Sequence, residues 1–136
     1  MGDYVVSLRT PAVDEYRRLR AATGLTQRSA KGAAIGLGNT FIGVVVEKDR
    51  RAIGMGRIIG DGALFFQVVD IAVEPDHQGR GVGKAIMAAL MSELRKRATN
   101  DAYVSLIADG KAHRLYAQFG FEPVAPKSTG MAMWLR

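Results

Sequence analysis

Apolar residues recur along the chain with two periods, which predict an alternation of strands and helices. Val82, Ile86, Leu90 and Leu94 are spaced every four residues, which is typical of the apolar face of one long helix at 79–98. Shorter runs that are rich in β-branched residues predict strands. The predicted strands are 4–8, 40–48, 51–59, 63–74, 103–107, 121–122 and 131–135, and the other predicted helices are 11–22, 28–37 and 111–119.

The order of these elements predicts a mixed α/β (α+β) fold. Strands two to four follow one another through short turns and therefore form an antiparallel meander. The fifth strand is reached through the long helix, so we expect it to lie parallel to the fourth. The prediction is a mixed, mostly antiparallel sheet of six to seven strands, with one parallel pair formed by the fourth and fifth strands, and about four helices.

Length and composition limit the class of protein. At 136 residues the chain fits a single domain, 1–136. It contains no cysteine, which excludes disulfides, thiolate nucleophiles and cysteine metal sites. No apolar run approaches the roughly 20 residues of a membrane span, and the N-terminus lacks the pattern of a secretory signal. His77 and His113 lie far apart without metal-like spacing. We therefore expect a cytoplasmic protein without a metal site or a membrane partner.

The net charge of +6 raises nucleic-acid binding as a function. The basic residues form two clusters, at 17–20 and 95–97, and no aromatic residues are interleaved with them as a base-stacking surface requires. The second cluster falls at the end of the long helix, where positive charge complements the helix dipole. The sequence therefore does not favour nucleic acid as a partner, because a small polyanionic ligand also explains a basic surface.

The run at 78–84, Gln-Gly-Arg-Gly-Val-Gly-Lys, predicts an anion-binding cradle. It follows an apolar strand and Pro75, and it opens the long helix. Glycines let the backbone approach an anion closely. The first N–H groups of a helix have no intrahelical partner and lie at the positive end of its dipole. Arg80 and Lys84 add positive charge at the same end.

Spacing separates the ligands that such a cradle binds. A nucleotide-triphosphate P-loop requires glycine at position 78 and serine or threonine at position 85, where this chain has glutamine and alanine. A dinucleotide-binding motif beginning at Gly79 requires glycine where Lys84 stands. The pattern Q/R-x-x-G-x-G/A remains, and Gln78, Gly81 and Gly83 match it in full.

A second motif follows one strand after the long helix. Residues 109–121 read D-G-K-A-H-R-L-Y-A-Q-F-G-F, close to the pattern N-x-x-A-x-x-L-Y-x-x-x-G-F, with Asp109 where asparagine is usual. With D-I-A-V-E-P at 70–75 and the cradle, this resembles the GNAT superfamily of acyl-CoA-dependent N-acetyltransferases, over roughly positions 40–135. The resemblance implies the GNAT fold, in which the parallel fourth and fifth strands splay apart.

The resemblance also implies acetyl-CoA as co-substrate, bound in two parts. The pantetheine arm pairs with the edge of the fourth strand, as an added strand would, and the pyrophosphate lies on the backbone of the cradle. Asp109 stands where the family asparagine bonds the cofactor arm, and we also expect it to cap the helix at 111–119. The implied cofactor-binding residues are Ile71, Ala72, Val73, Gln78, Gly79, Arg80, Gly81, Val82, Gly83, Lys84 and Asp109.

The resemblance assigns the acid of the reaction to Tyr116. A phenol with an ordinary pKa of roughly 10 stays protonated at neutral pH and can donate to the leaving thiolate. A main-chain N–H near Ile71 is the candidate to polarise the thioester carbonyl. The alternative for Tyr116 stays open, namely that it lies on an amphipathic helix and packs in the core of the protein.

The base is less defined, because the acceptor amine must lose a proton and the sequence offers several groups. Gln67 stands where some family members have a glutamate base. Asp70 is the nearest carboxylate on an otherwise apolar strand and is the candidate base. A hydrogen-bonded structural role for Asp70 stays open, as do Glu74, His77 and water as the base.

We expect an enzyme that transfers acetyl from acetyl-CoA to a primary amine of a small molecule by direct attack in a ternary complex. The expected acceptor cleft lies between residues 23–28, Phe65, Phe66 and the loop 124–130, whose aromatic surroundings suit a partly apolar amine. Acetylation of a protein or an aminoacyl-tRNA stays open, and so does a non-catalytic acyl-CoA-binding regulatory module. A homodimer through the C-terminal strands also stays open, because dimers are common in the family.

Overall fold

The structure of the protein is a computed structural model that describes residues 2–135. In this range it contains five strands, four α-helices and one short 3-10 helix. The strands are β1 (Val5–Leu8), β2 (Ile42–Lys48), β3 (Arg51–Gly60), β4 (Phe65–Val73) and β5 (Tyr103–Ser105). The helices are α1 (Val13–Ala22), α2 (Ala30–Leu37), α3 (Val82–Arg97) and α4 (His113–Ala117), and the 3-10 helix is Pro75–His77.

The five strands form one mixed sheet in the order β1-β2-β3-β4-β5. The first four are antiparallel neighbours, and β4 pairs with β5 in parallel. The parallel pairing runs only from Phe65 opposite Tyr103 to Gln67 opposite Ser105, after which β4 continues alone to Val73. The predicted mixed fold and its parallel pair are therefore confirmed.

Helices cover both faces of the sheet. The long helix α3 buries Ile86, Met87 and Leu90 completely against β2, β3 and β4, and this face forms the larger core. On the other face, α1 and α2 pack Tyr16, Leu19, Ala33 and Leu37 against the sheet. None of the helices in residues 2–135 combines the length and the apolar character that a membrane crossing needs.

The close approach of α3 depends on glycine in β3, as the glycines of the predicted third strand suggest. A Cβ atom at Gly56 would lie 2.6 Å from side-chain atoms of both Ile71 and Ile86. Any larger residue would push α3 away from the sheet, and the cradle at the start of α3 would move with it. Gly56 therefore helps to determine where the N-terminus of α3 lies relative to β4.

Several predicted boundaries need correction. Residues 121–122 and 131–135 do not form strands in the structure, because a strand must pair with a neighbouring strand and they have none within residues 2–135. The apolar side chains of Met131, Met133 and Leu135 are 80–92% exposed. The homodimer suggested for these segments stays a prediction.

Two predicted helix starts also differ. The helix predicted at 11–22 begins at Val13, and its N-cap is Ala12, whose N–H donates to Glu15 Oε1 at 2.8 Å. Helix α3 begins at Val82 rather than Gly79, because Gly79 and Gly81 adopt left-handed backbone conformations that do not continue a helix.

Candidate functional site

The strand β4 has a free edge beyond Gln67. Its partner β5 ends at Ser105, so within residues 2–135 the six residues from Val68 to Val73 have no strand beside them on that side. Ile71, Ala72 and Val73, the predicted binding edge for a pantetheine arm, belong to this stretch. An unpaired strand edge presents backbone N–H and C=O groups to an extended ligand.

A bulge interrupts β4 within this free stretch. Two residues of β4, Asp70 and Ile71, face the single residue Gly56 of β3. Asp70 has a φ of 60°, in the left-handed region that non-glycine residues rarely adopt and that aspartate and asparagine tolerate best. A bulge re-aims the peptide groups around it, and it includes the N–H of Ile71, the candidate donor to a thioester carbonyl.

The side chain of Asp70 is held by three donors. Arg20 Nη1 donates to Oδ1 at 2.6 Å and Arg57 Nε donates to Oδ2 at 2.8 Å. Tyr16 Oη also donates to Oδ1, at 3.0 Å. The side chains of Asp70, Arg20 and Arg57 are only 6%, 7% and 9% exposed. The network therefore fixes the bulge from the α1 side of the sheet.

The contacts of Asp70 favour a positioning role over the base role that its place on an apolar strand suggested. Both carboxylate oxygens are engaged, and two of the three donors are cations. Burial raises the pKa of the Tyr16 hydroxyl, and the charge of Asp70 adds to this, so Tyr16 keeps the proton that it donates. A proton arriving from an amine would have to displace these bonds.

The other candidate bases are also engaged. Glu74 accepts from Arg18 Nη1 at 2.6 Å and lies 3.1 Å from Arg51 Nη2, with its side chain 13% exposed. His77 Nδ1 lies 2.6 Å from the hydroxyl of Tyr4. These contacts tie the end of β4 to the surrounding structure. Within residues 2–135, Glu74 Oε2 and His77 Nε2 form no hydrogen bond, so both groups stay candidates for the base.

The predicted cradle lies at the start of α3 and opens onto a cavity of about 280 Å³. Gly81 is the N-cap with a φ of 83° and offers no side-chain cap. The first helical bond of α3 is donated by Ala85 N–H to Gly81 C=O at 3.0 Å, so the preceding N–H groups lack an intrahelical acceptor. The cavity is lined by Val73, His77, Gln78, Gly79, Gly81, Val82, Gly83, Lys84 and Leu115.

The cradle fits a diphosphate by its chemistry. No acidic residue lines the cavity or stands in the first turn of α3, and Lys84 contributes a positive charge. Gln78 Nε2 donates to Val73 C=O at 3.0 Å and joins the cradle to the end of β4. Arg80 is exposed and does not line the cavity. The free edge of β4 and the cradle therefore form one continuous surface.

Tyr116 lies on α4 and is 8% exposed. Its ring packs in the core beside Phe121, with ring centroids 6.5 Å apart. Its hydroxyl forms no hydrogen bond within residues 2–135, and no side-chain polar atom closed to solvent lacks a partner there, so the hydroxyl is accessible. Burial raises the pKa of Tyr116, and the charge of Asp109 adds to the rise. The hydroxyl therefore keeps its proton throughout the neutral range.

Asp109 does not cap α4, which corrects the prediction. The N-cap of α4 is Ala112, whose N–H donates to the backbone C=O of Asp109 at 3.0 Å. A turn of residues 109–112 thus precedes the helix, because Gly110 has a left-handed φ of 53° and interrupts the helical backbone. Asp109 affects the site through its charge near Tyr116.

A second and larger cavity, of about 500 Å³, lies on the opposite face of the sheet. It is lined by Tyr16, Gln27, Arg28, Ser29, Gly32, Ala33, Gly36, Leu37, Arg57, Ile59, Gln67, Val69 and Asp70. This differs from the cleft that the sequence suggested. Phe66 is buried in the core, Phe65 packs against Tyr103, and neither lines the cavity. Of the predicted segments, only the end of 23–28 contributes.

Sequence reasoning missed Arg57, the buried cation of this cavity. Arg57 stands alone in an apolar strand, as Asp70 does in the next strand, and two opposite charges in neighbouring buried strands are a signal for an ion pair. The basic cluster of α1 also has an internal use, since Arg18 and Arg20 pair with Glu74 and Asp70. These pairs leave less of that cluster available to nucleic acid.

Comparisons with known proteins agree on the family. The family model of the acetyltransferase (GNAT) domain matches residues 38–123, more than half of the chain. A crystal structure from meticillin-resistant Staphylococcus aureus, described as a protein of unknown function and a probable acetyltransferase, superposes with a TM-score of 0.92. It is 39% identical and covers 97% of this chain and 99% of its own. The protein belongs to the GNAT acetyltransferase family.

Two plant relatives match part of the chain. GCN5-related N-acetyltransferase 2, chloroplastic, of Arabidopsis thaliana is 34% identical over 76 residues, which are 56% of this chain and 29% of that protein. Serotonin N-acetyltransferase 2, chloroplastic, of Oryza sativa subsp. japonica is 32% identical over 84 residues, 62% of this chain and 41% of that protein. The chain thus spans less than two thirds of the length of these curated relatives.

Proposed function

We propose that the protein transfers an acetyl group from acetyl-CoA to the amine of a small molecule. The observation that supports this best is that β4 borders both cavities. Val69 and Asp70 line the larger cavity, and Val73 lines the cradle cavity. Four residues of a strand span roughly 13 Å, so the bulge lies between a cofactor site and an acceptor site.

Acetyl-CoA would supply an activated acetyl thioester, and the chain's residues would hold it along one surface. The N–H groups of residues 79–84 suit its diphosphate, and the free edge at 71–73 suits its pantetheine arm. The N–H of Ile71 in the bulge is the proposed donor to the carbonyl oxygen. Asp70 acts as a positioning residue, because its bonds hold the bulge in its left-handed conformation.

Tyr116 is the proposed acid. Its hydroxyl keeps its proton at neutral pH and would donate it to the sulfur as negative charge develops there. No free carboxylate lines the larger cavity within residues 2–135, so we propose that water receives the proton of the amine. Arg28 and Arg57 line that cavity, and nearby positive charge lowers the pKa of a bound ammonium.

Steady-state assays test this proposal. Thiol release from acetyl-CoA, measured against a panel of amines, should show turnover that depends on the amine. Calorimetric binding of acetyl-CoA without turnover on any amine would contradict the proposed acetyl transfer and favour a regulatory acyl-CoA-binding module.

A cytoplasmic location and the homodimer stay predictions, and some relatives bear chloroplastic names.

Gly81→Val is expected to weaken coenzyme A binding at least tenfold. Valine is strained at a φ of 83°, so the N-terminus of α3 must rearrange and its N–H groups lose their alignment with the diphosphate. Titration calorimetry with coenzyme A measures the effect. Gly24→Val is the matched control, because Gly24 has a similar φ of 76° and open space but lies after α1.

The control and Arg80→Ala should each change the dissociation constant by less than about fivefold, since one exposed charge contributes little. Equal losses in Gly24→Val and Gly81→Val would mean that the effect comes from general destabilisation. A larger loss in Arg80→Ala than in Gly81→Val would mean that a side chain, and not the backbone, binds the phosphates.

Gly36→Leu is expected to lower kcat/KM for the acceptor at least tenfold while coenzyme A affinity stays unchanged. A Cβ atom at Gly36 meets nothing within 4 Å, so a leucine side chain would extend into the larger cavity. Gly36→Ala is the control. Both substitutions raise helix propensity by about 1 kcal/mol, so unfolding does not explain a loss. Unchanged kcat/KM in Gly36→Leu would place the acceptor elsewhere.

A further inference from the structure

We infer that the acceptor amine carries an anionic group, a carboxylate or a phosphate, which binds beside Arg28 and Arg57 in the larger cavity. This inference rests on the proposed acetyl transfer and names the class of acceptor. It departs from the partly apolar amine that the sequence suggested, because the aromatic residues expected in the cleft lie outside the cavity.

The charges around the cavity do not balance. Its lining contains two arginines, Arg28 and Arg57, and one acidic residue, Asp70. That carboxylate is already shared between Arg57 and the buried Arg20. The three arginines therefore outnumber the single carboxylate, and the charge of Arg28 has no counterpart in the lining. An anion that enters the cavity finds excess positive charge in a partly enclosed space.

Arg57 retains donor capacity toward the cavity. Its Nε donates to Asp70 at 2.8 Å, and its Nη1 donates to Thr40 Oγ1 at 2.8 Å and to Gly36 C=O at 3.2 Å. Its Nη2 donates to no other group within residues 2–135, although the side chain is only 9% exposed and lines the cavity. No side-chain polar atom closed to solvent lacks a partner within residues 2–135, so this nitrogen is open to solvent and can donate to a ligand oxygen.

Arg28 also lines this cavity, and its guanidinium is held beside Trp134. Its guanidinium carbon lies 4.7 Å from the centre of the Trp134 ring, and its backbone C=O accepts from Arg17 Nε at 3.0 Å. In residues 2–135 its guanidinium donates to no acceptor, and it directly precedes Ser29, the N-cap of α2. The first turn of α2 contains no acidic residue, so its dipole adds to the positive field.

A cationic aromatic amine fits this cavity poorly. The rice relative bears the name of an enzyme that acts on serotonin, an arylalkylamine. Here an ammonium without an anionic group would meet uncompensated arginines, with no free carboxylate in the lining to receive it. An anionic group on the acceptor would neutralise Arg28 and leave the amine free to reach the bulge of β4.

Matched acceptor pairs test the inference. The carboxylate arm compares γ-aminobutyrate with γ-aminobutyramide, and the phosphate arm compares phosphoethanolamine with ethanolamine. With acetyl-CoA as donor, kcat/KM should be at least about tenfold higher for the anionic member of one or both pairs. The arm with the larger ratio identifies the anion. Ratios near one or below in both arms, with turnover present, would overturn the inference and leave the acetyl transfer intact.

The substitution Arg28→Gln tests the residue. It should reduce about tenfold the ratio of kcat/KM between the acceptor with the anionic group and its partner without that group. Because Arg28 is exposed, its loss does not disturb the core. Lys96→Gln is the matched control, since it removes the same charge from an exposed residue at the far end of α3 and should keep the ratio. An unchanged ratio in Arg28→Gln would overturn the role of Arg28.

Fluorescence provides a readout without turnover. Trp134 is the single tryptophan of the chain and contacts Arg28. Phosphoethanolamine or γ-aminobutyrate, added without acetyl-CoA at constant ionic strength, should change the emission of Trp134 in a saturable way. Ethanolamine and γ-aminobutyramide, which lack the anionic group, should not. This response together with no turnover on any amine would support the anion site and contradict the acetyl transfer. No response to either anion would overturn the site.

Discussion

Tyr116→Phe is expected to lower kcat by about 10²–10³-fold with little change in fold. General acid catalysis contributes about 10²–10⁴-fold to a rate, and this substitution removes only the hydroxyl that would protonate the leaving sulfur. The phenyl ring would keep its contact with Phe121 and its place in the core. Thiol release from acetyl-CoA under saturating amine measures kcat, and thermal unfolding measures the fold.

Tyr103→Phe is the matched control for Tyr116→Phe. It removes the same hydroxyl group, but Tyr103 is 54% exposed and lines neither the cradle cavity nor the larger cavity. Its kcat should stay within about twofold of the wild type. If Tyr116→Phe also retains kcat, Tyr116 packs in the core without acting as the acid. That outcome would restore the alternative that an amphipathic helix suggests.

The pH profile adds an independent check on Tyr116. Because burial and the charge of Asp109 raise the pKa of Tyr116, the hydroxyl loses its proton only above the ordinary value of roughly 10. The form that donates is therefore present at lower pH and lost as pH rises through the raised pKa. We expect no loss of kcat assigned to Tyr116 between pH 7 and about 9.5. A basic limb in that range which disappears in Tyr116→Phe would contradict the raised pKa.

Asp70→Ala is expected to lower the free energy of unfolding by about 3–5 kcal/mol. The substitution leaves Arg20 and Arg57 as nearly buried charges without their shared carboxylate. It also leaves alanine in a left-handed conformation that aspartate tolerates better. Urea unfolding followed by circular dichroism measures the loss, which is a large share of the stability of a domain of this size.

Two variants separate the charge of Asp70 from its backbone. Asp70→Gly removes the carboxylate but accepts a φ of 60°, so it should be about 1 kcal/mol less destabilising than Asp70→Ala. Asp76→Ala is the control for loss of a carboxylate, since Asp76 is exposed, and it should change the stability by less than about 0.5 kcal/mol. A loss below about 1 kcal/mol in Asp70→Ala would show that the arginines are compensated by other groups.

Catalysis in the Asp70 variants distinguishes positioning from base chemistry. A positioning residue is expected to affect kcat without changing the acidic limb of the pH profile. If Asp70 were the base, its substitution would remove that limb. Asp70→Asn preserves the size of the side chain and the tolerance for positive φ, so it is the variant for this comparison. A lost acidic limb in Asp70→Asn would return Asp70 to the role of base.

The cradle could be predicted from sequence because its chemistry is local. Gln78, Gly81 and Gly83 are neighbours in the chain, and both the glycine spacing and the helix start lie within seven residues. The same is true of β4 and α3, whose periodic apolar positions are read over short windows. Each of these features depends on residues that are close along the chain.

The larger cavity could not be predicted in this way. Arg28, Gly36, Arg57 and Asp70 come from a loop, a helix and two strands, and only their packing makes them neighbours. The hydrogen bonds of Asp70 depend on Arg20, fifty residues earlier in the chain, and on Arg57 in the neighbouring strand β3. A sequence pattern shows that a carboxylate stands on an apolar strand, but not which charges meet it.

The sequence by itself determined the mixed sheet, the parallel pair and the glycine turn before the long helix, since local spacing and the order of elements specify them. Tertiary structure alone decided that the last segments form no strands within residues 2–135, that Asp70 accepts from Tyr16 and two arginines, and that Arg28 and Arg57 line the larger cavity. The physical reason is that hydrogen bonds and charge pairs between distant residues depend on their separation in space, which the linear order of residues does not encode.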